Sequence, residues 1–161
     1  MKRKSEIITL FIFTLWFKMG FAQEAKEMAT ITSFLNEVLT NNSFDTNKIM
    51  VKHTDFQPAS GNLDTKQRRK RKKMLKKHLD EIKRKYGVLY DTINTKIIPY
   101  NQLNPQQQIP FDTHIQDHIY AVVFSSGQLM YMYVDGQSIK AFDLFIQKGT
   151  GKTASAYFLT Y

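Results

Sequence analysis

Residues 119–142 read IYAVVFSSGQLMYMYVDGQSIKAF, and this stretch decides the fold. Apolar and aromatic residues recur at every second position, the period of a strand. Two turn signals divide it. Ser126-Gly127 ends a strand from Ile119 to Ser125. Asp135-Gly136 ends the next, Gln128 to Val134, and reads as a type I′ hairpin needing positive φ at both central residues. A strand from Ser138 to Gln147, a Gly149-Thr150-Gly151 turn and a last strand from Ala154 to Tyr161 complete a meander. Alternation assigns Tyr120, Val122 and Phe124 to one face and Met130, Met132 and Val134 to another. With both faces apolar, one contacts helices. The other either lines a cavity or contacts a second copy of the chain, a homodimer through the sheet.

Upstream the period lengthens to that of a helix. Met28, Ile31, Leu35, Val38 and Leu39 form one stripe of a helix from Glu24 to Asn41, with Glu24 and Glu27 favourable in its first turn. Phe44 to Phe56 reads either as a short strand or as a second short helix, and residues 58–62 as a loop. A long helix opens at Asp64, which has capping-box spacing to Gln67. Leu75, Leu79, Ile82 and Tyr86 make its apolar stripe, and Gly87 stands where a helix end favours positive φ. Val88 to Tyr100 reads as a strand broken near Asn94, and 101–110 as a Gln- and Asn-rich loop. Helices first and then consecutive strands predict an α+β fold, with N-terminal helices packed on a curved antiparallel sheet of four to five strands.

The long helix also concentrates the charge. Lys66, Arg68, Arg69, Lys70, Arg71, Lys72, Lys73, Lys76, Lys77, Lys83, Arg84 and Lys85 give residues 64–85 a net +9, the same as the whole chain. Like charges at i, i+4 work against their own helix. An anionic surface, lipid or polysaccharide, would relieve that repulsion through Lys66 to Lys73, Lys76 and Lys77. A solvated face is the plainer explanation of such a run. No aromatic residue interleaves the cations, so neither base stacking nor sequence-specific nucleic-acid binding is expected.

The first 22 residues have the pattern of a Sec-type signal peptide. Lys2, Arg3 and Lys4 precede the apolar run Ile7 to Phe17, and Gly20 and Ala22 fit a cleavage site after Ala22. The expected mature protein is one exported domain, residues 23–161, periplasmic or secreted, without a transmembrane span. The 161 residues contain no Cys, which excludes disulfides, a thiolate metal site and the lipid anchor of a lipoprotein.

No catalytic residue, metal site or cofactor emerges from spacing. Gly149-Thr150-Gly151-Lys152-Thr153 lacks the earlier Gly of a phosphate loop, whose position is Ile146, and reads as a turn. Asp112, His114, Asp117 and His118 are metal-ligand types at a strand entry, too spread on extended chain for one ion. Tyr120, Met130, Tyr131, Met132 and Tyr133 suit the wall of an apolar pocket, or a core.

The order of elements, from the Asn41-Asn42-Ser43-Phe44 turn through Lys85-Tyr86-Gly87 to Asp135-Gly136 and Ile139-Lys140-Ala141-Phe142, resembles small nuclear transport factor 2-like (cystatin-like) domains over roughly residues 28–160. The resemblance implies a curved sheet around a long helix with a cone-shaped pocket. It supplies no function. The expectation is an exported, non-catalytic binding or interaction domain. The alternatives are a small-ligand carrier or enzyme using the pocket, and an envelope-associated protein docking on anionic surfaces through helix 64–86.

Overall fold

A computed structural model describes residues 22–54, 64–149 and 155–158. The segment that carries the signal-peptide pattern, the loop at 58–62 and most of the Gly149-to-Thr153 turn lie outside the described residues. Helix α1 runs from 22 to 35 and closes in a π turn, Asn36–Thr40. Ile31, Phe34, Leu35, Val38 and Leu39 form its buried stripe. The ambiguous segment is a helix, α2 (Thr46–His53), because Asp45 caps it by accepting from the Asn47 and Lys48 amides. Helix α3 (Thr65–Tyr86) opens with the expected capping box of Asp64 and Gln67.

The end of α3 departs from expectation. Gly87 is right-handed, at φ −58. A Cβ there would stand 2.5 Å from the Lys83 carbonyl oxygen, so close approach explains the glycine and handedness does not. Most of the strand expected from Val88 is turn. The Asp91 carboxylate accepts from the Ile93 amide and holds the chain in a bend. Only β1 (Lys96–Pro99) is extended.

Strands β2 (Ile119–Val123), β3 (Leu129–Asp135) and β4 (Ser138–Phe142) follow, and the antiparallel order β1-β2-β3-β4 is the expected meander. Register corrects the facing. Tyr120 opposes Met132 and Val122 opposes Met130, so both sets share a face. The β3–β4 turn is centred on Gly136-Gln137, since Asp135 still pairs with Ser138. Among the described central residues only Gly136 is positive in φ, at 63, the requirement of a II′ turn. A register shift at Tyr133/Val134 lets Ile139 and Phe142, three residues apart, reach the same core.

The expected strand 138–147 is two strands. Asp143 bends the chain at φ 56, and β5 (Phe145–Lys148) leaves to pair with β6 (Ser155–Phe158) in a separate two-stranded sheet. The helices cover one face of the main sheet, where Phe34, Leu35, Leu79 and Tyr86 pack on Tyr120, Val122, Met130 and Met132. On the other face Ile119, Ala121 and Tyr131 pack against Tyr100, Leu103, Phe111 and Ala156. The face expected to line a cavity or contact a second copy is thus covered by the chain's own 100–111 segment and β5–β6 hairpin.

Candidate anion-binding surface

The cationic stretch begins where the apolar stripe of α3 stops. Extending the line of Leu75 and Leu79 back by one and two turns gives Arg71, Lys72 and Arg68. Lys66, Lys70, Lys73 and Lys77 run along the opposite side at i, i+4, i+7 and i+11. Residues 65–73 therefore carry cations on every side and no apolar residue. Residues 64–70 are exposed, Arg71 and Lys72 half-buried, and Lys73, Lys76 and Lys77 exposed. The next half of the helix holds the core, through Leu75, His78, Leu79, Ile82 and Tyr86.

Nothing acidic lies between Asp64 and Asp80. Lys76 pairs with Asp80 at 2.8 Å and Lys77 with Glu81 at 3.8 Å, both in solvent. Each such pair is worth about 0.2–1 kcal/mol. Beside them an open depression of ≈ 650 Å³ lies between Lys72 and Lys76 on one side and Ser43 to Asn47 on the other. Phe44 forms part of its wall, with the Lys76 ammonium 6.0 Å and the Lys83 ammonium 5.7 Å from the ring centroid.

The residues expected around a pocket do not gather. Tyr120, Met130 and Met132 are packed in the helix-side core. Tyr131 belongs to the opposite core, where its hydroxyl donates to the Gln107 carbonyl. Tyr133 is half-buried, its ring 6.1 Å from that of Phe158.

Three carboxylates organise the interior, and sequence reasoning missed all three roles. Glu27, 1% exposed, accepts from Gln23 Nε2 at 2.6 Å, the Gly136 amide at 3.0 Å and the Tyr120 hydroxyl at 2.7 Å, with His118 Nδ1 at 3.3 Å. Burial, then the Glu27 hydrogen bond, pushes the Tyr120 hydroxyl far above its ordinary range. Glu37 holds Lys48 at 3.1 Å, Lys52 at 3.0 Å and buried His53 at 3.0 Å, tying α1 to α2. Burial works to raise its pKa, but hydrogen bonds from His53, Lys52 and Lys48 outweigh that and lower it to about 2. Burial lowers His53 from its usual value against the opposing pull of Glu37. Asp143 accepts from the Tyr86 hydroxyl at 2.5 Å and pairs with Lys85 at 3.2 Å. His78 stacks on Phe142 at 4.4 Å, and burial pushes it down to about 4, so it is neutral at pH 7.

These groups join elements together. No group of three or more His, Asp or Glu among the described residues could hold a metal ion. His118 faces Glu27, whereas exposed His114 donates its amide to Asp112. No helix of the described residues is long and apolar enough to cross a membrane. Compared with known proteins, the chain matches no family model, no curated protein and no solved structure.

Proposed function

We propose that this chain is a non-catalytic binding domain that docks on a polyanion through the first half of α3. One observation carries the reading. Residues 65–73 are cationic on all sides and contain no apolar residue, and no acidic residue stands between Asp64 and Asp80 along the chain. A solvated face explains cations on one side of a helix. It does not require cations in line with the core stripe, where Arg68, Arg71 and Lys72 stand. Five like-charged pairs at i, i+4, from Lys66–Lys70 to Lys73–Lys77, oppose this helix. Together they cost about 1–2.5 kcal/mol in the free state. A polyanion offsets that cost and gains counterion release.

Export belongs to the same reading, supported by Lys2 to Lys4, the apolar run and Ala22. Helices on one face of an antiparallel meander support the nuclear transport factor 2-like likeness as a proposal about fold alone. The test is retention on immobilised heparin. Binding should fall steeply between about 50 and 200 mM NaCl. It should vanish when Arg68 to Lys73 are all replaced by Gln. Unchanged retention in that variant refutes the reading. Export is checked by the mass of the chain made in a secreting host, expected to begin at Gln23.

A further inference from the structure

We infer that the polyanion is the anionic headgroup surface of a lipid bilayer, met by the outward side of α3 along its whole length. The inference rests on the polyanion reading above and deepens it. Away from the core stripe, Lys66, Lys70, Lys73 and Lys77 follow one another at helical spacing, and Arg84 lies two turns past Lys77 on the same line. All five are exposed. The helical path runs on past Tyr86. The Gly87 amide donates to the Lys83 carbonyl and the Tyr90 amide to the Tyr86 carbonyl, each four residues back. Val88 therefore stands one turn beyond Arg84 on the outward side. Lys66 and Val88 are about 33 Å apart along the axis, so the contact is a long line suited to a flat surface. Arg68 and Arg71 lie off this line and have contacts within the fold.

The cations alone do not select a partner, because a polybasic segment binds any polyanion by charge. The apolar side chains set among them do. Val88 is 90% exposed, and Met74, between Lys70 and Lys77 on the same side, is 52% exposed. Ile93, in the bend that follows, is 87% exposed. Beneath its headgroups a bilayer has an acyl boundary that takes up such side chains, and binding strength there grows with buried apolar area as well as with charge. A polysaccharide or a nucleic acid offers no comparable apolar layer. The lysine stems lie along the same boundary while their ammonium groups reach the headgroup phosphates. The acids on this side, Asp80 and Glu81, are paired with Lys76 at 2.8 Å and Lys77 at 3.8 Å, which limits their repulsion of the headgroups.

The test is co-sedimentation of the full chain with vesicles of equal parts phosphatidylglycerol and phosphatidylcholine, run beside retention on heparin. Two variants are compared with the parent, with circular dichroism to establish that each is folded. Replacing Lys66, Lys70, Lys73 and Lys77 by Gln should weaken vesicle binding by about a hundredfold or more, at about fivefold per cation. Replacing Met74 by Gln and Val88 and Ile93 by Ser should weaken vesicle binding by about tenfold and leave heparin retention unchanged. Val88→Ser alone, at a side chain almost wholly in solvent, should give a smaller loss on vesicles only. Unchanged vesicle binding in the apolar variants, or an equal loss on heparin, overturns the lipid and leaves the polyanion reading standing. So does a preference for heparin or a DNA duplex over the vesicles at equal anionic charge. Parent-like vesicle binding in the Gln variant overturns the outward face of α3 as the contact. Failure to bind vesicles, heparin or duplex overturns both readings.

Discussion

The two halves of α3 are one continuous helix held in two different ways. In residues 75–86 five side chains are buried, and burial does the stabilising. In residues 65–74 none is buried. The Asp64–Gln67 capping box supports that half, and repulsion among its cations opposes it. A cap is worth about 1 kcal/mol, similar to the repulsion it faces. The contrast teaches that a helix can run on past its core when its end is well capped, even against repulsion among its own cations.

The largest effect should come from the buried half. Leu79→Ala leaves a cavity under the helix and should cost about 3–4 kcal/mol in urea unfolding. The folded protein should keep its polyanion affinity within twofold. A large loss of affinity would show that the halves are coupled.

Next in size is a pH effect on the same half. His78 is lowered to about 4 in the fold, so the unfolded chain binds the proton more readily. Its contribution is complete above about pH 6.5 and is lost as pH falls through 4, roughly 2–3 kcal/mol in all. His53 shifts in the same direction. Glu37, held at about 2, adds a loss that begins only below about pH 4.5. In His78→Leu the decline between pH 6.5 and 4 should shrink. A curve parallel to the parent's would assign the decline to other groups.

Smaller still is Tyr86→Phe, which removes the hydroxyl bonded to Asp143 and should cost about 1–2 kcal/mol. Asp64→Ala acts on the cationic half, at about 1 kcal/mol. Hydrogen exchange should quicken at the Gln67 and Arg68 amides and leave those after Leu75 protected. Equal quickening along the helix would erase the distinction between the halves. The smallest change has the opposite sign. Arg69→Gln relieves repulsion with Lys73 and should stabilise by about 0.2–0.5 kcal/mol while weakening polyanion binding.

What was legible in sequence follows the range of the forces. The capping box, the stripe from Leu75 to Tyr86 and the Ser126-Gly127 turn depend on neighbours a few residues away, and each is found as read. Val88 and Ile93 look like strand residues by type, yet stand 90% and 87% exposed, Val88 in the turn closed by the Leu89 and Tyr90 amides on the Tyr86 carbonyl and Ile93 in the bend held by the Asp91 side chain. Asp143 breaks a strand with a left-handed backbone that its identity does not announce. The cover over the second sheet face brings residues 100–111, 145–148 and 155–158 onto β2 and β3, a packing no local period encodes. For the candidate surface, the cations of residues 66–77 were plain in the sequence. Their distribution around the helix acquired meaning only once Leu75 was seen to begin the buried half. Glu27 read as a dipole partner because its donors lie far along the chain.

Those donors carry a consequence for how the molecule is made. Glu27 is bonded to His118, Tyr120 and Gly136, 91, 93 and 109 residues away. While synthesis proceeds from the N-terminus, the first helix exists long before anything can neutralise its carboxylate in a dry interior. It has to stay wet until the β3–β4 turn emerges. Burial of Glu27 with its hydrogen bonds complete therefore requires nearly the whole domain.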